Sequence, residues 1–332
     1  MLQISERVRL LEQLGTYILE NPESLQRVKE RASGLNRWFT PDFIDLALQN
    51  IARYYLDPAA LQLAVSQYHL DSPAQPKLVG VTMAGNIPAV GFHDWMCVFL
   101  AGHRQADKLS SKDEVLMRHF TDKMTEWNPD AAPYFTIREQ LKGCDAYIAT
   151  GSNNSSRYFE YYFSRFPHII RKNKTSVALL TGSETPAQLE ALADDVYLFF
   201  GLGCRNVTKI LVPENYDFAP LLQVFRKYDY LAHEHKYKNN YDYQLALLIL
   251  NKAYYMSNDS ILLTENPANF SGISVLHYEY YTDFNNTLQR LQQDEDIQCI
   301  VSSRTTDFGK AQQPGILDFA DGVDTLAFLS SL

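Results

Sequence analysis

The sequence predicts an α/β protein built on doubly wound parallel sheets, preceded by a helical segment. Three observations predict it. Short runs rich in Val, Ile and Leu alternate with stretches of helical spacing. Turns containing glycine or asparagine follow several of those runs, as at Ala84-Gly85-Asn86-Ile87-Pro88 and Gly151-Ser152-Asn153-Asn154. Before Leu78 the spacing is helical only.

Ile4, Val8, Leu11, Leu14 and Ile18 recur at helical spacing until Asn21-Pro22 interrupts them. Thr40-Pro41 reads as a cap and a first-turn proline. An apolar face of Phe43, Ile44, Ala47, Leu48 and Ile51 follows it. A further helix is expected over 59–67, and 71–76 is a polar connection. The period then changes. Residues 77–83 read as a buried strand, and 90–101, apolar all round, as a buried helix. A short strand over 105–109 leads to a helix ending near 126. A strand over 145–150 enters the Gly151 turn and a helix running through 163. A strand over 175–180 is followed by Thr185-Pro186, which starts a helix expected to reach 200. Beyond Pro213 the spacing predicts helices over 218–228, 241–255 and 284–293. It predicts strands over 261–264, 273–278 and 298–302.

With 332 residues and 46% hydrophobic content, the chain can bury a large core in one or two domains. A net charge of −9 argues against a general nucleic-acid binder. The polar start Met1-Leu2-Gln3-Ile4-Ser5-Glu6-Arg7 is unlike a secretion signal, and no apolar run has membrane-spanning length. Cys97, Cys144, Cys204 and Cys299 lie far apart without a CxxC pair. They are expected to be reduced thiols in a cytoplasmic protein.

The most informative stretch is Phe199-Phe200-Gly201-Leu202-Gly203-Cys204-Arg205-Asn206-Val207. Two glycines allow a sharp turn, and a cysteine there can be exposed near backbone N–H groups that favour its thiolate. It can equally be a small buried residue beside a tight turn. Asn86 sits in a strand-to-helix loop where a doubly wound sheet binds its ligand. Its side-chain amide suits an oxyanion, and it also suits a turn before proline. Lys108 and Ser110 end the next strand, as ribose or phosphate contacts or as an ordinary polar loop. Gly151 and Ser152 form a turn that can face a pyrophosphate at a helix N-terminus, or be structural. His233 and His235 would share a face in a strand, but no third metal ligand is evident. A solvated stretch is the simpler account. Cys97 and Cys299 fall in apolar segments and read as core, and Cys144 opens a strand with no base near it in sequence. Tyr161, Tyr162, Tyr254 and Tyr255 read as packing residues.

Taken in order, the strand-end Asn86-x-Pro88, Lys108, Gly151-Ser152 and the Gly-x-Gly-Cys turn resemble the aldehyde dehydrogenase superfamily. Met83-Ala84-Gly85-Asn86-Ile87-Pro88, Lys108-Leu109-Ser110-Ser111 and Gln312-Gln313-Pro314-Gly315-Ile316-Leu317-Asp318-Phe319-Ala320-Asp321-Gly322-Val323-Asp324 look like LuxC-type acyl-CoA reductases within it. The resemblance runs from about Leu78 onward. It implies an aldehyde-dehydrogenase-like fold with a helical segment over 1–76 packed on a cofactor domain. That NADP-binding, Rossmann-like domain covers 77–200. A catalytic domain covers 201–310, and a tail over 311–332 returns to the cofactor domain or a dimer interface.

The resemblance also implies the chemistry. Cys204 attacks an acyl thioester, and NADPH reduces the acyl-enzyme to an aldehyde. The Cys204 backbone N–H and the Asn86 side chain hold the oxyanion. Lys108, assisted by Ser110, contacts the adenosine ribose, and Gly151 and Ser152 lie near the cofactor phosphates. The partners implied are an acyl-CoA or acyl-protein substrate and a second copy in a homo-oligomer, a dimer first. Two departures stand out. The chain is short for the superfamily. The segment that carries the water-activating glutamate in aldehyde-oxidising members reads His168-Ile169-Ile170-Arg171-Lys172-Asn173-Lys174, without an acid. Glu184, the nearest acid downstream, reads as a residue placed before a helix start. Two other functions stay open: a CoA-acylating or ordinary aldehyde dehydrogenase, and a catalytically silent scaffold.

Overall fold

Two sheets organise the chain. The computed structural model describes all residues except Ser72, Ala74 and Ser152, and the side chains of Asn153 and Asn154. Met1–Asn173 together with Pro314–Leu332 form one unit, and Lys174–Gln313 form a second.

The first unit begins with four helices: α1 (Ile4–Glu20), α2 (Glu23–Leu35), α3 (Pro41–Asn50) and α4 (Pro58–Gln67). Leu10, Leu11, Leu14 and Ile18 are the buried stripe of α1. The expected Thr40 cap is present, its side chain accepting the Phe43 N–H. Alternating strands and helices follow. They are β1 (Leu78–Thr82), α5 (Phe92–Leu100), β2 (Arg104–Lys108), α6 (Glu114–Trp127), β3 (Phe135–Ile137), β4 (Ala146–Thr150), α7 (Asn153–Phe163) and β5 (His168–Arg171). All five strands run parallel in the order β3-β2-β1-β4-β5. Phe92 and every residue from Trp95 to Leu100 are fully buried, so α5 is the central helix of this core.

In the second unit the elements are β6 (Thr175–Leu179), α8 (Pro186–Tyr197), β7 (Val207–Pro213), α9 (Ala219–Val224), α10 (His235–Leu250), β8 (Met256–Ser257), β9 (Leu262–Glu265), β10 (Val275–Tyr281), α11 (Phe284–Gln292) and β11 (Ile297–Val301). Their sheet has the order β11-β6-β7-β10-β9-β8, with only the edge strand β8 antiparallel. Last comes α12 (Thr325–Ser330), which belongs to the first unit.

The predicted class, parallel sheets behind a helical segment, is the observed one. Its details differ in instructive ways. The chain divides after Asn173 rather than after residue 200, because β6 pairs with β7 and β11. Helix α2 buries only Leu25 and Ala32, too thin a stripe to announce itself. The predicted helix over 218–228 becomes the short α9 followed by a 3₁₀ run over Phe225–His233. Helix α10 starts and ends several residues earlier than predicted. Tyr161, Tyr162 and Tyr254, read as packing residues, are 78%, 64% and 72% exposed.

Candidate active site

In the first sheet the strand order reverses between β1 and β4, and open parallel sheets bind ligands beside the carboxyl ends of the strands at such a point. The loops there are tightly fitted. The Met83 N–H donates to the Lys108 carbonyl at 3.0 Å, joining the ends of β1 and β2. A Cβ on Gly85 would lie 2.5 Å from Ser110 Oγ, so the two loops approach as only glycine permits. Ala89 takes a left-handed φ of 54°, and its N–H donates to Asp113 Oδ2 at 2.6 Å. Burial pushes the Asp113 carboxyl well above its usual range, against that hydrogen bond.

Along this edge Asn86 and Lys108 are exposed, while Ser110 and Gly151 are half-buried. Ser110 Oγ accepts the Lys112 N–H. A Cβ on Gly151 would come within 2.9 Å of both Phe159 and Ser155. Four of the sequence-derived candidates, Asn86, Lys108, Ser110 and Gly151, thus lie at the carboxyl ends of β1, β2 and β4. Another, Ser152, lies outside the described residues. A cation, a hydroxyl and two glycines without room for a side chain fit a phosphate-bearing cofactor.

Cys204 lies in the second unit, in the turn before β7. Helix α8 was expected to reach residue 200 but stops at Tyr197. The helix starts at Thr185-Pro186 as expected, and the structure adds a capping box between Thr185 and Gln188. Its end is unusual. Phe199, Phe200 and Gly201 take successive left-handed φ values of 55°, 57° and 73°. Such a φ costs a non-glycine residue roughly 1–2 kcal/mol. Phe199 and Phe200 are buried, at 4% and 2% exposure, and Phe200 packs on the Tyr237 ring at 5.8 Å. Packing therefore holds the aromatic side chains while the backbone turns.

The thiol turn itself is fastened by Asn206, which is fully buried. Its Oδ1 accepts the Gly203 N–H at 2.8 Å. Its Nδ2 donates to the carbonyls of Asp195, Val196 and Leu198 at 3.1, 3.4 and 2.8 Å. The Cys204 carbonyl accepts from Ser176 Oγ at 3.0 Å. Sequence reading passed over Asn206 because its role lies in closing a helix end that the periodicity had extended too far.

The four thiols separate by environment. Cys204 is half-buried, whereas Cys97, Cys144 and Cys299 are buried. Burial pushes all three buried thiols up, Cys97 most strongly. A thiol held in its neutral form is a poor nucleophile. The reading of Cys97 and Cys299 as core residues holds.

Glu184 serves its own turn. Its Oε1 accepts the Thr181 N–H and hydroxyl at 2.6 and 2.7 Å, and Oε2 accepts the Gly182 N–H at 3.0 Å. His233 ends the 3₁₀ run and His235 opens α10, so neither lies in a strand. Among the described residues no three His, Cys, Asp or Glu side chains gather as metal ligands. Nor is any helix among them long and apolar enough to cross a membrane.

No protein-family model matches the sequence, and no curated protein matches it. Solved structures do match the fold. An NAD-dependent aldehyde dehydrogenase from Sinorhizobium meliloti superposes with a TM-score of 0.66 at 12% identity, over 93% of this chain and 72% of that one. An NADP-dependent enzyme from E. coli gives 0.67 at 12%, over 89% and 72%. Succinic semialdehyde dehydrogenase from Streptococcus pyogenes, in complex with NADP⁺, gives 0.64 at 14%, over 91% and 77%. The chain has an aldehyde-dehydrogenase-like fold.

Proposed function

We propose that this protein is an NADPH-dependent acyl-CoA reductase working through an acyl-enzyme on Cys204. The observation that carries the reading is the half-buried Cys204, the least enclosed of the four thiols, on a strained and fastened turn. The aldehyde-dehydrogenase-like fold and the order of the sequence motifs support this reaction class. In this reading the Cys204 thiolate attacks the thioester carbonyl, the C–S bond to CoA breaks, and CoA leaves as its thiol. NADPH, when bound, supplies the hydride that reduces the acyl-enzyme, and the Cys204 thiolate is the leaving group. Lys108, Ser110 and the Gly151 turn hold that cofactor, and Ser152 is assigned with them from the sequence alone. The oxyanion contacts, the Cys204 N–H and the Asn86 amide, are assigned from the sequence alone. Acyl-CoA or an acyl-protein is the acyl donor, and the protein works in the cytoplasm as a homo-oligomer, a dimer first.

A second reading is favoured by the fold neighbours, among them the aldehyde dehydrogenase from S. meliloti. It runs the same thiol chemistry in the oxidative direction, with CoA or water as acceptor. A silent scaffold is the third reading.

Intact-protein mass spectrometry after incubation with a panel of acyl-CoAs tests the proposal. The wild type should gain one acyl group, and Cys204→Ala none, with its fold intact. Cys97→Ala, Cys144→Ala and Cys299→Ala should still acylate. An adduct on Cys204→Ala sinks the site assignment. No adduct on the wild type, with a Cys204 no faster toward iodoacetamide than a free cysteine, leaves the scaffold.

A further inference from the structure

The last carbonyls of a helix have no partner within it. A glycine in left-handed conformation usually turns the chain back to cover them. At the end of α8 the first two left-handed positions are Phe199 and Phe200. The Asp195, Val196 and Leu198 carbonyls are met instead by the single side-chain amide of Asn206, the residue before β7. The same side chain accepts the Gly203 N–H, one residue before the thiol. The main chain of Asn206 is fixed too. Its N–H donates to the Gly203 carbonyl at 3.1 Å, and its carbonyl accepts the Ser176 N–H at 3.1 Å.

We infer that Asn206 is the positioning residue of Cys204. Its carboxamide clamps the end of α8 to Gly203, so the left-handed run has one arrangement and the thiol one presentation. The inference rests on the reading of Cys204 as the nucleophile. An alanine at 206 removes the side-chain donor to three carbonyls and the side-chain acceptor of one N–H of the turn. A glycine at 199 or 200 would relax the strain but not replace the clamp.

The first test needs no variant. Residue-resolved hydrogen exchange on the wild type should show the Gly203 amide as protected as that of Ile210 in β7. Exchange as fast as at Gly143, an exposed left-handed glycine, overturns the clamp. The second test compares Asn206→Ala and Asn206→Asp with Leu192→Ala, which empties part of the α8 core without touching the clamp. Asn206→Asp keeps the acceptor for Gly203 and loses the donors.

Acyl transfer to Cys204 should fall about 10²-fold in Asn206→Ala, the scale of a misplaced reacting group. The pH profile of Cys204 alkylation by iodoacetamide should change in both Asn206 variants. Leu192→Ala should lower the melting temperature yet keep the wild-type profile. The same change of profile in Leu192→Ala, or none in the Asn206 variants, overturns the positioning role. If those variants do not fold, the exchange measurement decides. If the wild type accepts no acyl group, the functional reading fails, while exchange and alkylation still judge the clamp.

Discussion

Arg171 grips Asp94 with two hydrogen bonds, Nη2 to Oδ1 at 2.7 Å and Nε to Oδ2 at 3.1 Å. The pair joins the end of β5 to the first turn of α5, and both side chains are nearly buried. The guanidinium also donates to the Thr325 hydroxyl at 2.7 Å and the Ala320 carbonyl at 2.5 Å. Three other side chains hold the same C-terminal segment. His93 meets the Ile316 carbonyl, Tyr68 donates to Asp324, and His103 meets the Leu329 carbonyl. The first unit is thus closed by residues far away in sequence. Burial by itself would raise the Asp94 pKa, but the charge and hydrogen bonds of Arg171 hold it below the usual range.

Removing one partner of such a pair strands the other charge in the core. Asp94→Ala should therefore cost the first unit about 3–5 kcal/mol. Thr325→Val, which removes one hydrogen bond to a charged group, should cost about 1.5–3 kcal/mol. Urea unfolding of each variant measures both. Equal losses for the two would show that Arg171 does not depend on Asp94 for its charge balance.

Asp195 carries a pH dependence in the second unit. Its carboxylate accepts the Gly309 and Ala311 N–H groups at 2.6 and 2.9 Å. Burial outweighs those bonds and lifts its pKa from 3.8 to about 7. The folded protein therefore holds this proton more tightly than the unfolded chain does. The associated stability is complete below about pH 4 and is lost as pH rises to about 7. Its size is on the order of 4 kcal/mol. Asp107 and Asp113 in the first unit are pushed the same way, so the difference between wild type and Asp195→Asn is the quantity to read. The wild type should lead most near pH 4, and its lead should shrink toward pH 7. A lead independent of pH would show that Asp195 is ionised throughout.

Lys108 is exposed at the end of β2, beside the loop of Ser110. As a cofactor contact it makes a charge-assisted hydrogen bond. Lys108→Ala should weaken NADPH binding by about 1.5–3 kcal/mol and leave acylation of Cys204 nearly unchanged. Calorimetry with NADPH and NADH checks this. Equal affinity for NADPH in wild type and variant removes Lys108 from the site.

What the sequence revealed follows from the range of each signal. The strands β1, β4 and β6 are buried apolar runs, so local composition announces them. Asn86, Lys108, Ser110 and Gly151 sit where strands hand over to helices, and their punctuation is local too. Asn206 and Asp195 act by side-chain bonds to backbone 8–11 residues away and 114–116 residues away. The partners of Asp195 lie outside any local window, and those of Asn206 lie at a helix end that the apolar pattern reads as continuing. Asp107 illustrates the same limit, since it is 1% exposed in a strand where a charged residue normally marks a solvent face. The early end of α8 was hidden because Phe199 and Phe200 continue the apolar pattern while their backbone leaves the helix.

Glu184 bears on the fate of the acyl-enzyme proposed on Cys204. Hydrolysis to a free acid needs a water deprotonated by a positioned base. The segment that, by the sequence resemblance, corresponds to the base-carrying one of aldehyde-oxidising dehydrogenases includes β5, and it contains no acid. Glu184 is the next carboxylate along the chain, and it accepts two N–H groups and a hydroxyl from its own turn. Taking a proton from water would weaken those bonds. Return to acyl-CoA asks less, because a thiol ionises far more readily than water. Pre-acylated enzyme without NADPH should therefore release acid slowly, and should form acyl-CoA when CoA is added. With NADPH it should yield aldehyde. Glu184→Gln should leave the slow acid release unchanged, while lowering stability by about 1 kcal/mol through the turn. Single-turnover product analysis follows all three products. Rapid acid release by the wild type, abolished in Glu184→Gln, would make Glu184 the base and turn the proposed reductase into an oxidising dehydrogenase.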